Sequence, residues 1–422
     1  MVKSRIRPGV TLDFESIASK GISVGTQGIA TMAMQVNWGE DGKLVELTKE
    51  DIFSGKFTEM FGDTDILQLE LMFIGCSKVL FYPINKGVKA SITIDTNLTV
   101  TAKYGGTFGN NISVGVEDDE RVVVYVNGKK IDEQEVSDYN ELIENEYVTF
   151  SGTGSPNTTA FTKLVSGTNG SSSLNYEDYY KQIITKKWNV IACNDKTMNT
   201  NVISMIKRLR DDEEVKVQAV MVDNNVNYEG VIKLKDQNVI YNDMKITSLQ
   251  LTCYVAGISA GAGANRSNTN LLTPFSSIVE EMTNSEIESA LLDGYFLFTY
   301  RANRKVKCES DINSLTEFTD EKNKDFSKNR IIRTLDLINN DIKSEFQENY
   351  LGKVDNDDIG RDELKGALID YFKTLQKMRI LQDFDPQSDI KIVYESKNSI
   401  YSEVLILPVD AMEHLRMLVK LR

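Results

Sequence analysis

His414 is the chain's single histidine and follows Glu413 close to the C-terminal end, so any imidazole-based acid, base or nucleophile scheme must run through that one residue. The simpler reading is a polar residue at the start of a strand. Gly257, Gly261 and Gly263 follow an apolar stretch in the manner of a nucleotide loop. A Walker loop needs a lysine to reach phosphate, and none occurs from Val255 to Asn270. The dinucleotide fingerprint fails too, because Arg266 stands at its third glycine position. Ala256, Gly257, Ala260 and Gly261 instead suit a segment that another backbone approaches closely. Asp355, Asp357 and Gly360 imitate the opening of a calcium loop, but Ile359 and Gly366 break its ligand set. Asp118 and Asp119 fall in a hairpin connection where nothing separates the roles of acid and base. Cys76, Cys193, Cys253 and Cys308 lie far apart without a C-x-x-C pair and read as buried free thiols. The residues therefore assign no catalytic group, no metal ligand and no cofactor.

The chain that must position these residues has 422 of them, with 62 acidic against 48 basic side chains and a formal net charge of −14. That length suggests several domains, and that charge argues against a broad nucleic-acid surface. No apolar stretch approaches the ~20 residues of a membrane span, and Met1 to Ser19 carries Arg5, Arg7, Asp13 and Glu15 in place of a secretory signal. The protein reads as one made and kept in a reducing cytoplasm. Basic residues gather at both ends, Lys3, Arg5 and Arg7 in front and Arg416, Lys420 and Arg422 behind. They are either solvated tails or groups drawn to an acidic partner surface, that of an identical subunit included.

Residues 1–20 have neither helical nor strand period and read as an extended arm reaching ~65 Å at ~3.3 Å per residue. A small α/β piece follows, with a helix starting at Thr48 to Asp51, a second helix around Ile66 to Ile74 and a strand Val79 to Ile84. From Ile92 to Val165 the pattern turns to short β-branched runs, Ile92 to Val100, Ile112 to Val116, Val122 to Val126 and Tyr147 to Phe150, with Asn127-Gly128 as a type I′ hairpin turn. This reads as an inserted β-sandwich or barrel, closed off by a Gly/Ser/Asn linker at Gly167 to Ser173. Trp188 to Cys193, the helix Asn199 to Arg210 and Val217 to Val222 form a βαβ unit, and a helix Ser285 to Leu292 precedes a strand Tyr295 to Tyr300. In the final third, Ile331, Leu335, Ile338, Ile342 and Phe346 line one amphipathic helix, and Leu364, Leu368, Phe372 and Leu375 another. Strands Ile390 to Tyr394, Glu403 to Leu407 and Leu415 to Leu421 complete an α+β unit. The last strand alternates apolar and basic residues with Leu418 in a polar slot, and nothing follows it. It needs a neighbouring strand from its own sheet or from another copy's, and the second choice builds rings or open helical filaments.

Several strings, in order, resemble the contractile tail sheath proteins of phages, of phage-tail-like bacteriocins and of related injection systems. They are Arg7-Pro8-Gly9-Val10, Lys103 to Ile112 with its Tyr-Gly-Gly-Thr-Phe-Gly-Asn-Asn turn, Ala256-Gly257 with Ala260-Gly261, and Ser267 to Asn270. Ile312 to Thr316, Phe326-Ser327-Lys328, Arg333 to Ile338, Gly352-Lys353-Val354, Gly360-Arg361 and Pro408 to Glu413 continue the order. Thr11 departs from the family, where an aromatic is common.

The resemblance implies an α/β and α+β multidomain fold. Its parts are an N-terminal arm (1–20), an N-terminal core part (21–90), an inserted β-sandwich or barrel (91–170), a central subtilisin-like α/β domain (174–309), a C-terminal α+β domain (310–410) and a C-terminal strand arm (411–422). Fold likeness to subtilisin implies no proteolysis, since the central region lacks a histidine. The function implied is that of a non-enzymatic sheath subunit, polymerising as a helical stack of rings around an inner tail tube and contracting on energy stored at assembly. Val2, Ile6, Pro8 and Val10 in front, with Leu415, Met417, Val419 and Leu421 behind, are the expected contacts of exchanged arms with neighbouring subunits' C-terminal sheets. Connections near Asp13 to Lys20 and Leu407 to Met412 are expected to take up the motion. Lys365, Lys373, Lys377 and Arg379 mark either a grip on an acidic tube surface or a solvated helix face. Baseplate and tail terminator proteins are further expected partners, with no nucleic acid, no membrane insertion, and assembly in the bacterial host's cytoplasm. A tail tube or baseplate protein and an α/β hydrolase are the alternatives.

Overall fold

The computed structural model describes residues 22–25, 28–170, 176–222, 225–300 and 303–420. Its centre is a seven-stranded sheet in the order Tyr295–Phe296, Val231–Leu234, Gln218–Met221, Val190–Ala192, Ile29–Gln35, Lys78–Ile84 and Val45–Thr48. Neighbouring strands run parallel except the last pair, which is antiparallel. The central strands are buried along nearly their whole length, as a parallel sheet covered on both faces requires. Alternate side chains divide between two cores. Met32, Met34, Phe81, Ala192 and Ile232 join helices Leu67–Phe73 and Ser248–Gly261 on one face, whereas Ala33, Tyr82, Ile191, Ala219 and Val231 join helices Glu177–Ile183 and Asn199–Lys207 on the other.

Helix Ser248–Gly261 is buried on nearly every side, begins at a Thr247/Gln250 capping box, and owes its place to small residues. A Cβ on Gly257 would lie 2.1 Å from the Met72 carbonyl oxygen, and one on Gly261 would lie 1.9 Å from that of Gly75. Both obstacles are backbone and cannot swing aside. Gly257→Ala is therefore expected to cost about 2 kcal/mol by overpacking, measured as a lower midpoint in urea unfolding with an unchanged slope.

The inserted region consists of a three-stranded sheet (Lys89–Ile94, Leu98–Gly105, Val148–Gly152) and a four-stranded one (Thr162–Lys163, Ile112–Glu117, Arg121–Val126, Lys129–Glu135). Val100, Ala102 and Val148 from the first and Val114, Val116, Val122 and Val124 from the second share one core with Trp38. The apolar run Ile92 to Val100 is two strands instead of one. Asp95 and Thr96 adopt left-handed backbone, with φ of 47° and 50°, and turn it into a hairpin. Asn127-Gly128 makes a hairpin turn as expected, but it joins Arg121–Val126 to Lys129–Glu135, a strand outside the expected runs. The turn beginning at Tyr104 sits where this region meets the central sheet: Asn110 exchanges hydrogen bonds of 3.0 and 2.9 Å with the backbone of Gly167, and Thr107 N–H and hydroxyl donate to Asn169 Oδ1.

By compactness the chain divides into two units, with Ile338–Val409 in one and the described residues from 28 to 337, together with 410–420, in the other. The division falls inside helix Asn329–Glu345. In the smaller unit, helix Asp358–Lys377 packs Leu364, Leu368, Tyr371, Phe372 and Leu375 inward. Asn356 Nδ2 donates to the carbonyls of Ser396 and Ser399 at the tip of the hairpin Ile390–Ser396/Ser399–Val404. The expected strand Glu403 to Leu407 is thus displaced. The hairpin's return strand ends at Val404, and only Leu407–Pro408 pairs again, with Leu381–Gln382. The expected strand Tyr295 to Tyr300 also splits, its two halves joining different sheets on either side of Leu297.

Candidate functional site

A crevice of about 470 Å³ opens at the carboxyl ends of the parallel strands Ile29–Gln35 and Val190–Ala192, the kind of place where open α/β sheets bind ligands. Gln35, Asn37, Asp63, Asp65, Asn194 and Asp195 are among its lining residues. Its carboxylates serve the chain itself: Asp65 accepts from Leu67 N–H at 3.0 Å, and Asp195 accepts from Thr197 N–H at 2.9 Å and the Tyr176 hydroxyl at 3.0 Å.

The other chemical-looking strings have structural tasks as well. Asp357 caps a helix by accepting from Gly360 N–H at 2.8 Å. A Cβ on Gly360 would meet the Asp355 carbonyl at 2.1 Å, so the calcium-like spacing is that of a tight helix start. Asp119 accepts twice from Thr158, whose hydroxyl and N–H hold the carboxyl below its usual range, and Asp118 pairs with Arg121. All four cysteines are free and buried, and desolvation pushes Cys76 and Cys253 up to about 12. His414 is exposed. Among the described residues, no group of three or more His, Cys, Asp or Glu could hold a metal ion, and no helix is long and apolar enough to cross a membrane.

What does concentrate polar chemistry is a junction at the start of helix Asn329–Glu345. Asp311, 1% exposed, accepts from Arg333 Nη2 at 2.7 Å, Asn268 N–H at 2.9 Å and Asn329 Nδ2 at 3.1 Å. Arg333 Nη2 also donates to the Arg266 carbonyl, and Asn329 Nδ2 to that of Ile312. Asn313 and Ser314, both fully buried, bond to the backbone of Phe326 and Tyr228. A turn further along the helix, Asp336 forks onto Arg210 at 2.7 and 2.8 Å, and Arg210 also donates to the Val217 carbonyl. Burial alone would lower the Arg210 pKa, but the Asp336 carboxylate outweighs it and keeps the guanidinium charged.

The tail reaches this junction. Thr269 Oγ accepts from Asp311 N–H and donates to Glu413 Oε1 at 2.8 Å, while Lys328 Nζ pairs with Glu413 Oε2. Strings far apart in sequence, 266–269, 311–314, 326–333 and Glu413, thereby meet at one place. Asp311 and Asn329 carry no signal of their own in the sequence, because apart from Ile312 their immediate neighbours are polar. The detectable signal is Asn329, Arg333 and Asp336 at helical spacing, a polar stripe easily taken for a solvated face.

The expected arm contacts Leu415, Met417 and Val419 are not in a strand; residues 411–420 carry no regular structure within this chain, and these three side chains are 81%, 75% and 69% exposed. Val2, Ile6, Pro8, Val10 and Leu421 lie outside the described residues, as does the expected connection Asp13 to Lys20. Its counterpart at Leu407 to Met412 is partly ordered, because Leu407–Pro408 is paired. Lys373, Lys377 and Arg379 are exposed at the end of helix Asp358–Lys377, and Lys365 is half-buried near its start.

Comparison with known proteins agrees along the chain. Residues 85–169 match the family model of the phage tail sheath protein beta-sandwich domain, residues 169–314 that of the phage tail sheath protein central domain, and residues 321–422 that of the phage tail sheath C-terminal domain. The chain is 35% identical to a sheath tail protein of solved structure from Desulfitobacterium hafniense, covering 96% of this chain and 98% of that one with a TM-score of 0.85. It is 30% identical to the phage-like element PBSX protein XkdK of Bacillus subtilis (strain 168), over 97% of this chain and 96% of that protein. Its fold also resembles the anti-feeding prophage helical sheath in the contracted state, at 11% identity, 98% coverage of each chain and a TM-score of 0.61.

Proposed function

We propose, on the premise that this chain belongs to the phage tail sheath protein family and is a component of a phage tail or phage-tail-like particle, that it polymerises as stacked rings around an inner tail tube and contracts to drive that tube through a cell envelope. One observation carries this reading: among the described residues, the tail's alternating Leu415, Met417 and Val419 are left exposed, and the hairpin Ile390–Ser396/Ser399–Val404 is a two-stranded sheet with both outer edges unpaired. An uncovered strand and an open edge on one chain are complementary between copies. Because donor and acceptor are different patches, their pairing is heterologous and propagates.

In this reading 1–20 and 411–422 are donor arms, 21–90 with 174–309 is a subtilisin-like α/β core, 91–170 is an inserted domain and 310–410 carries the acceptor sheet. The arms hold neighbours together while the bodies turn. Contraction draws on surface left uncovered in the extended lattice, since ~200 Å² of extra apolar burial per subunit favours the contracted state by ~5 kcal/mol before opposing terms. Lys365, Lys373, Lys377 and Arg379 grip the tube, and baseplate and terminator proteins close the ends.

Electron microscopy tests the reading. Purified protein is expected to form hollow tubes or rings, and monodisperse globules at every salt concentration would overturn it. Co-produced with its tube protein, a chain carrying Lys373→Glu, Lys377→Glu and Arg379→Glu is expected to build sheaths that lack the tube. Filled sheaths would remove those residues from the proposal.

A further inference from the structure

We propose that Glu413 is a positioning residue: its contact with Lys328 and Thr269 roots the C-terminal tail on its own subunit, so that only residues 414–422 are donated. The inference rests on strand donation as the mode of assembly and adds where the donated segment begins and what aims it. Backbone pairing holds the tail as far as Leu407–Pro408, and Val409 N–H donates to the Ile380 carbonyl at 2.9 Å. Beyond that point Glu413 stands out. Its side chain is 13% exposed, between Met412 at 93% and Leu415 at 81%. A covered carboxylate flanked by exposed Met412 and His414 marks a fixed point.

The anchor is built in, because Thr269 Oγ is itself held by Asp311 N–H, and Asp311 is fully enclosed by Arg333, Asn268 and Asn329. Glu413 is thus the outermost member of the buried junction and takes its place from it. With the root there, residues 414–422 reach ~30 Å fully extended; with the root lost, the free segment would begin after Val409 and reach ~43 Å. The shorter tether confines donation to an adjacent subunit. It also lowers the ordering entropy lost on docking, which is how a preorganised segment gains affinity.

A nitroxide placed at Met412→Cys reports the root directly, since the native thiols are buried and the introduced one is exposed. In the full-length monomer, Glu413→Gln and Lys328→Met are each expected to raise the ratio of mobile to immobile label about tenfold, as loss of a charge-assisted contact implies. Lys328→Glu with Glu413→Lys together should restore it. The same single variants are expected to raise the protein concentration needed for tube formation about tenfold, with thermal unfolding unchanged. Equal label mobility would overturn the root, and an unchanged concentration threshold would overturn its positioning role. If the parent chain forms no tubes, strand donation itself fails, while the label still decides whether the root exists.

Discussion

A chain ending at His414 is expected to fold, stay monomeric and form no tubes at concentrations where the full chain polymerises. Folding survives because residues 415–420 are exposed and lie outside every described element, so their removal uncovers no core. Under the proposed strand donation, assembly is lost because the removed residues would be the donor. Burying Leu415, Met417, Val419 and Leu421 in an acceptor sheet contributes about 1.5–3 kcal/mol each, or roughly 6–12 kcal/mol per junction before ordering is subtracted. Even a third of that, about 2–4 kcal/mol, is roughly 30- to 700-fold in affinity. Sedimentation of the truncated chain, with microscopy of the same sample, makes the measurement. Normal tubes would show that the terminal strand is dispensable.

Asp311→Ala is expected to have the largest effect on stability of any single substitution in the junction, about 3–5 kcal/mol. It would leave the Arg333 guanidinium enclosed without its carboxylate and strip acceptors from Asn268 N–H and Asn329 Nδ2. Exposed pairs offer the contrast. Lys181 with Asp178 is 72% and 61% exposed, and its removal should change stability by no more than about 0.5 kcal/mol. Urea unfolding of Asp311→Ala beside Asp178→Ala tests both, and a loss under 1 kcal/mol at Asp311 would mean that the junction relaxes around the vacancy.

Local signals in the sequence translated well. Thr48 and Asp51 form the capping box their spacing suggests, and the small residues of Ser248–Gly261 admit a neighbouring backbone. The sequence misleads where composition stays constant through a change of direction. Ile92 to Val100 is rich in β-branched residues on both sides of its turn, and the turn at Asp95-Thr96-Asn97 lacks the glycine that marks Asn127-Gly128. The junction was invisible for a different reason. Its members come from four stretches with no shared period, so only folding places Glu413 beside Lys328. The terminal segment shows a third limit: alternation says that a strand is wanted without saying whose edge will receive it.

The sealed thiols have a consequence for durability. Cys193, Cys253 and Cys308 are wholly screened from solvent, Cys76 nearly so, and those whose ionisation is perturbed are shifted towards the neutral form. Oxidants act on the ionised sulfur, so in aerated fluid this chain's thiols would neither rust into crosslinks between copies nor depend on a reductant to stay free.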